Sequence, residues 1–397
     1  MTAPLDGCTV VSLEQAVAAP LATRNLADLG ARVIKIERRD GGDFARDYDH
    51  VVDGTGAHFV WLNRGKESLA VDLKAAEGRT VVRELIDGAD VFVQNLAPGA
   101  AARLGLDAAA LRVGNPRLIT VDISGYGTGG PYEQRKAYDM LVQAEAGLIS
   151  INGTADGYAK TGIPVSDIAS GMYCAQSVLA ALLRRERTGE GAAVEISMLE
   201  ATVEWMGHPM YTQMFTGVQP PRLGVSHISI APYDSYPTTD GEVLIGVQSD
   251  RGWRDLVEQV LGAPELADDP RFATNIARVA NRAACDAAVA ERTAVLTTAD
   301  LDDRLAAAGV PAGQVKLVGD MVDHPQLTAR DRWRSVTIPG GRAPALLPPA
   351  TFADSPAVMG AVPALGQHTA EILRRAGLPD DRIAELIRSG VVGPAEQ

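Results

Sequence analysis

The chain opens with short, continuously apolar runs separated by stretches of helical periodicity. Residues 9–13 (TVVSL) and 31–37 (ARVIKIE) bracket an amphipathic segment at 19–29, and together they predict a strand–helix–strand unit of a parallel sheet. The alternation continues. A polar turn at 63–68 divides two apolar stretches, and a helix carrying Val81, Val82, Leu85 and Ile86 follows. Strands are then predicted at 90–95, 118–124 and 193–196, with helices starting at 100 and 198. At 206–222 (MGHPMYTQMFTGVQPPR) the texture changes to Met, aromatics, Gly and Pro, which reads as a crossing linker with an apolar face suited equally to an interface or a pocket lining. Asp240-Gly241 between β-formers then signals a hairpin leading into a strand at 243–247, with helices at 253–261, 287–295 and 298–308. A proline-rich stretch at 340–356 leads to helical patterns at 369–375 and 380–389. The expected organisation is α/β, with a large parallel-sheet domain over 1–205, a linker over 206–225, a small α/β domain over 226–318 and a C-terminal segment over 319–397.

Composition narrows the class. A chain of 397 residues exceeds the usual reach of one hydrophobic core, and 46% hydrophobic residues supply ample core material. No apolar run approaches the length that crosses a bilayer, and MTAPLDGC carries neither a basic nor an apolar leader, so no membrane role and a cytoplasmic location are expected. Cys8, Cys174 and Cys285 are odd in number and lack metal-ligand spacing, which fits buried thiols in a reducing compartment and no metal. The net charge of −13 discourages nucleic-acid binding, so an anionic ligand requires a local basic pocket.

Four stretches carry candidate chemistry. The turn at 14–20 (EQAVAAP) has no glycine, and the formal G-x-G-x-x-G at Gly125–Gly130 is followed by Pro131 and polar residues instead of a helix, so a dinucleotide cofactor is not supported. Arg38, Arg39 and Arg46 gather after a strand, where guanidinium forks suit phosphate; a solvated basic edge explains them equally well. The fourth stretch is 159–180 (AKTGIPVSDIASGMYCAQSVLA), which places Asp167 at a helix start. Spacing alone favours an N-cap aspartate there.

Tyr138-Asp139, Gln143-Ala144, Gly147-Leu148 and the run PVSDIASG at 164–171 resemble the family III CoA-transferases, from Leu13 to about Gly207 and more loosely through Arg332-Trp333. The resemblance implies a Rossmann-like large domain, a C-terminal segment that returns to it, and an interlocked homodimer. It implies Asp167 as the nucleophile, with no prosthetic group and a coenzyme A thioester as substrate. It places Val17, Ala18, Arg38, Val71, Lys74, Asn95, Leu96, Arg103 and Lys136 along the CoA, and the Gly125 and Gly127 loop, Tyr138 and Asp139 by the substrate. Taken alone, Lys74 and Arg103 read as surface charges and Asp139 equally as a helix cap. Some members carry a glycine run near 225–231; here SHISI stands instead, making His227 a candidate substrate contact, although a partly buried, hydrogen-bonded histidine is the favoured reading of the residue alone. The related 2-methylacyl-CoA racemases carry histidine where this chain has Tyr138, and tyrosine is a poor base near neutrality. The expected activity is CoA transfer from an acyl-CoA to a small dicarboxylic acid such as succinate, malate or itaconate. The alternatives are an acyl-CoA racemase or epimerase and an inactive CoA-binding protein.

Overall fold

The computed structural model describes residues 2–393. Chain contacts divide it into two compact units, Met1–Leu148 with Lys160–His208 and Ala329–Gln397, and Ile149–Ala159 with Pro209–Thr328. The excursion at 149–159 was not legible in the sequence. It is held by a two-residue hairpin, Gly153–Thr154 against Gly157–Tyr158, and by Arg222, which donates to the carbonyls of Thr154 and Ala155.

The first unit is built on six parallel strands: β1 Thr9–Leu13, β2 Arg32–Glu37, β3 Lys66–Ala70, β4 Val91–Gln94, β5 Ile119–Ser124 and β6 Ala193–Ser197, in the order β3-β2-β1-β4-β5-β6. The near-continuous Val/Ile runs of β1, β2 and β4 are those of strands covered on both faces. On one face pack α1 (Ala18–Asp28) and, later in the chain, a 24-residue helix; α2 (Ala76–Asp87) covers the other with the C-terminal helices Thr369–Arg375 and Asp380–Arg388. The C-terminus is tied to the edge strand's exit by an antiparallel bridge between Val71 and Val392.

Strand order reverses between β1 and β4. In open parallel sheets the loops at the carboxyl ends diverge at such a point and leave a crevice. The loop after β1 (14–17), the loop after β4 (95–98) and the loop after β5 (from Gly125) all open there.

Three further helices of the first unit bring residues to this crevice: α3 (Asp139–Glu145), α4 (Val165–Thr188) and α5 (Met198–Glu204). Helix α4 ends at Gly189, whose positive φ of 78° lets its N–H reach the Arg185 carbonyl at 2.8 Å. Helix α1 lies close on α4, and a Cβ on Gly171 would stand 2.6 Å from the Ala18 carbonyl oxygen.

The expected linker at 206–222 contains a helix, α6 (Gly207–Thr216), within which the boundary between the units falls. The Gly and Pro there marked only its ends. The proline-rich 340–356 stretch likewise begins with part of a hairpin, Trp333–Ile338 paired with Gly341–Leu346. In the second unit a three-stranded sheet, with Tyr233–Pro237 and Glu242–Gly246 joined at the Asp240-Gly241 turn, packs on helices around Trp253, Phe272, Leu301 and Leu305. Arg278 is fully buried there and donates to the carbonyls of Ala231 and Phe272 and to Asp250.

Candidate active site

Two cavities lie side by side along the carboxyl edge of the sheet. The first, of about 570 Å³, sits over β3, β2 and β1 and is lined by Arg38, Arg39, Val71, Lys74, Arg79 and Leu104 among others. The second, of about 700 Å³, occupies the point where strand order reverses, between the 15–18 turn, the 95–98 loop, Gly125, Lys136–Asp139 and Asp167. Gln15 lines both.

Asp167 is the third residue of α4, but it does not cap the helix. Pro164 occupies the N-cap, without a side-chain cap bond. The capping group comes from elsewhere: Asp139, first residue of α3, accepts the N–H of Ser166 at 2.8 Å and of Asp167 at 3.2 Å on Oδ1. Its Oδ2 accepts from Gln143 Nε2 at 2.6 Å, and Gln143 Oε1 in turn holds the N–H and hydroxyl of Thr161. This fully buried glutamine therefore ties the approach segment to the cap. Its bracing role was not legible in the sequence, where Gln143-Ala144 carried only the family resemblance. With its cap supplied by another residue, the Asp167 carboxylate faces the cavity. Burial, and then the charge of Asp139, push its pKa up to about 7.

The residues expected along a CoA divide as follows. Arg38, Val71 and Lys74 line the first cavity, and Val17, Ala18, Asn95, Leu96 and Lys136 the second. Arg103 is exposed and lines neither. Arg38 donates twice to the Gly42 carbonyl, at 3.1 and 2.9 Å, and Arg39 to that of Gly393. Arg46, grouped with them in the sequence, is committed inward: it forms a two-pronged pair with Glu37 (2.9 and 2.8 Å) over the face of Phe59. It is unavailable to a phosphate.

Of the residues expected by the substrate, Gly125, Tyr138 and Asp139 line the second cavity, together with Phe44, Tyr48 and His58, which no motif in the chain singles out. Tyr138 is 68% exposed. Gly127 lies beside the cavity lining, its N–H taken by Ser124 Oγ at 3.0 Å. His227 belongs to the second unit, where its ring stacks on Tyr233 and its Nδ1 accepts the Ser229 N–H. Among the described residues no group of three or more His, Cys, Asp or Glu is arranged to hold a metal, and no helix is long and apolar enough to cross a membrane.

Asp167 is set in a crevice beside a cavity where Arg38, Arg39, Lys74 and Arg79 stand among five carboxylates, and known proteins resemble the chain over most of its length. The chain is 36% identical to a succinate–glutarate CoA-transferase of Agrobacterium fabrum, over 93% of this chain and 95% of that one. It is 37% identical to an acetyl-CoA:oxalate CoA-transferase of Acetobacter aceti, over 83% and 85%. A crystal structure of a CaiB/BaiF family protein from Brucella suis superposes with a TM-score of 0.82 at 36% identity, covering 95% of this chain and all of that one. The sequence pattern of CoA-transferase family III runs through residues 5–369, so the chain belongs to that family, whose reaction moves CoA from an acyl-CoA to a carboxylic acid.

Proposed function

We propose that the enzyme transfers CoA from an acyl-CoA to a small dicarboxylic acid through covalent intermediates on Asp167. The observation that carries this reading is the cavity-facing Asp167 carboxylate, uncommitted to its own helix and with its pKa raised to about 7 by burial and by Asp139. A carboxylate stripped of part of its water is a better nucleophile than a solvated one, and near neutrality a large fraction of it is still ionised.

Its oxygen attacks the thioester carbonyl and the C–S bond breaks, leaving an aspartyl–acyl anhydride and CoA thiolate. The thiolate attacks the aspartyl carbonyl and expels the donor acid, so that CoA is held as an aspartyl thioester. The acceptor carboxylate attacks that carbonyl, releasing thiolate and forming a new anhydride. Thiolate then takes the new acyl group and restores the Asp167 carboxylate. No proton is gained or lost over the cycle.

The oxyanion formed in each step needs N–H donors. Those of Ser166 and Asp167 are spent on Asp139, that of Gly127 on Ser124 and that of Gly129 on Glu133. The N–H groups of Val17 and Ala18 remain, at the head of α1, which has no side-chain cap. In this reading the nucleotide end of CoA lies in the first cavity by Arg38, Arg39, Lys74 and Arg79, and the acyl end in the second. Lys136 and Arg135 on the second cavity's rim attract the far carboxylate of a dicarboxylic acid. Relatives named for succinate, glutarate and oxalate support the acid class.

The reading extends to the assembly. Met172, Leu179 and Leu183 form an exposed apolar stripe on α4, and Tyr211, Met214 and Phe215 are exposed on the part of α6 in the second unit. A second copy covering these surfaces, in an interlocked homodimer, accounts for both. Three unpaired cysteines, two of them buried, favour the cytoplasm as the compartment.

The test is chemical. Incubation with succinyl-CoA followed by hydroxylamine or borohydride should modify one peptide, at Asp167, and mass spectrometry over a panel of free acids should give new acyl-CoAs. Asp167→Ala should abolish both while still binding CoA. Solvent deuterium entering the α-carbon without exchange of the acid would instead identify a racemase.

A further inference from the structure

At the first cavity, whose lining includes Glu14 and Asp43, lies a set of charges that the transfer chemistry does not use. Glu14, Lys35, Asp43 and Lys66 are all buried. Glu14 Oε1 accepts from Lys66 Nζ at 2.6 Å and Lys35 Nζ at 3.3 Å, its Oε2 accepts from Thr23 at 2.7 Å, and Lys35 reaches Asp43 Oδ2 at 2.8 Å. Buried ion pairs contribute little net stability, because apolar residues of similar volume often serve as well. Stability alone therefore does not account for three such pairs among four buried side chains.

What the cluster holds is a strained piece of backbone. Ala16 has φ 61°, a left-handed conformation that a residue with a Cβ rarely adopts and that persists only where its surroundings enforce it. The enforcing contacts are visible. Asp43 Oδ1 accepts the Ala16 N–H at 3.1 Å and the Ala45 N–H at 2.9 Å. On the other side Asn95 clamps Gln15 reciprocally, accepting its N–H and donating to its carbonyl, both at 2.9 Å. The far face of the turn packs on the nucleophile's neighbour, since Ala16 and Val17 cluster with Leu21, Leu62 and Ile168, and Ile168 directly follows Asp167.

We propose that Asp43 is a positioning residue for the transfer reaction: anchored from beneath by Lys35, it holds the 15–17 turn in its left-handed form and so sets the cavity wall against which Asp167 acts. The proposal rests on Asp167 being the reacting carboxylate. Asparagine at 43 offers one acceptor where Asp43 uses two, so either the turn or Lys35 loses its partner.

The test compares wild type, Asp43→Asn, Asp43→Asn with Ala16→Gly, and Ala16→Val, all as full chains with succinyl-CoA and an acid that the wild type accepts. Asp43→Asn should lower kcat by about 10²-fold, the usual consequence of a small misplacement, while its calorimetric Kd for CoA stays within about threefold. Glycine at 16 adopts the left-handed turn without a clamp, so the double variant should regain about tenfold. Ala16→Val alters no buried charge and should lose kcat to the same degree, which keeps the proposal testable if Asp43→Asn fails to fold. Wild-type kcat in either single variant, or no recovery on adding Ala16→Gly, overturns the proposal while leaving the Asp167 reading intact. A wild type that turns over without ever modifying Asp167 overturns that reading, and the proposal with it.

Discussion

In the proposed reaction a carboxylate must shed water without losing its charge near neutrality, and the Asp139–Asp167 pair sets that balance. Burial is the larger cause of the raised pKa of Asp167 and the Asp139 charge the smaller, so the two are separable. In wild type, kcat/KM should rise with pH through about 7 as Asp167 ionises. Asp139→Asn should move that midpoint to lower pH while leaving it above the ordinary aspartate value, because burial remains; an unmoved midpoint would mean that the Asp139 charge is not felt. The same shift has a stability consequence with a defined sign. A carboxyl whose folded pKa is raised stabilises the fold below its unfolded pKa, near 4, and loses that contribution as pH climbs through about 7. Asp167→Asn, which removes the cost of a buried charge, should therefore melt above wild type at pH 8 and close the gap by pH 4 in a thermal-shift series.

At the scale of elements, the site depends on how closely α1 and α4 approach. Gly171 allows it, since a Cβ there would collide with the Ala18 carbonyl at 2.6 Å and press on Leu21. Gly171→Ala should cost about 1–3 kcal/mol, the usual range for overpacking, and should lower kcat more than it weakens CoA binding, read by denaturant melts and steady-state kinetics. These elements were legible in the sequence. The runs at 9–13, 31–37 and 118–124 end within a residue of β1, β2 and β5, because strands buried on both faces announce themselves as apolar blocks. Edge strand β3 (KESLA) was harder, because its first residue is a lysine whose charge is buried against Glu14. Arg46 misled for the same reason: pairing that sends a charged side chain inward leaves no trace in composition. The resemblance pointed to Asp167, whereas its cap on Asp139 and the brace from Gln143 required three segments to be brought together first.

For the whole molecule, the exposed apolar surfaces of α4 and α6 are the features that a monomer in water explains least. The wild type should run as a dimer in sedimentation equilibrium. Phe215→Glu and Leu183→Glu should each shift it toward monomer, whereas a wild type monomeric at micromolar concentration would remove the assembly from the reading. The division into units was only partly legible. Composition marked the change near 206, but nothing in the sequence of 149–159 distinguishes a short polar loop from one that joins another unit.

Gln15 stands on the boundary between the two cavities, and that division has a practical corollary. If the handle of the carrier rests over β2 and β3 while its cargo rests over β4 and β5, the two are chosen by different stretches of chain. Exchanging Phe44, Tyr48 and His58 then retargets the enzyme to a longer or bulkier acid without redesigning its grip on the carrier, so new acceptor preferences should emerge from a few changes on one wall.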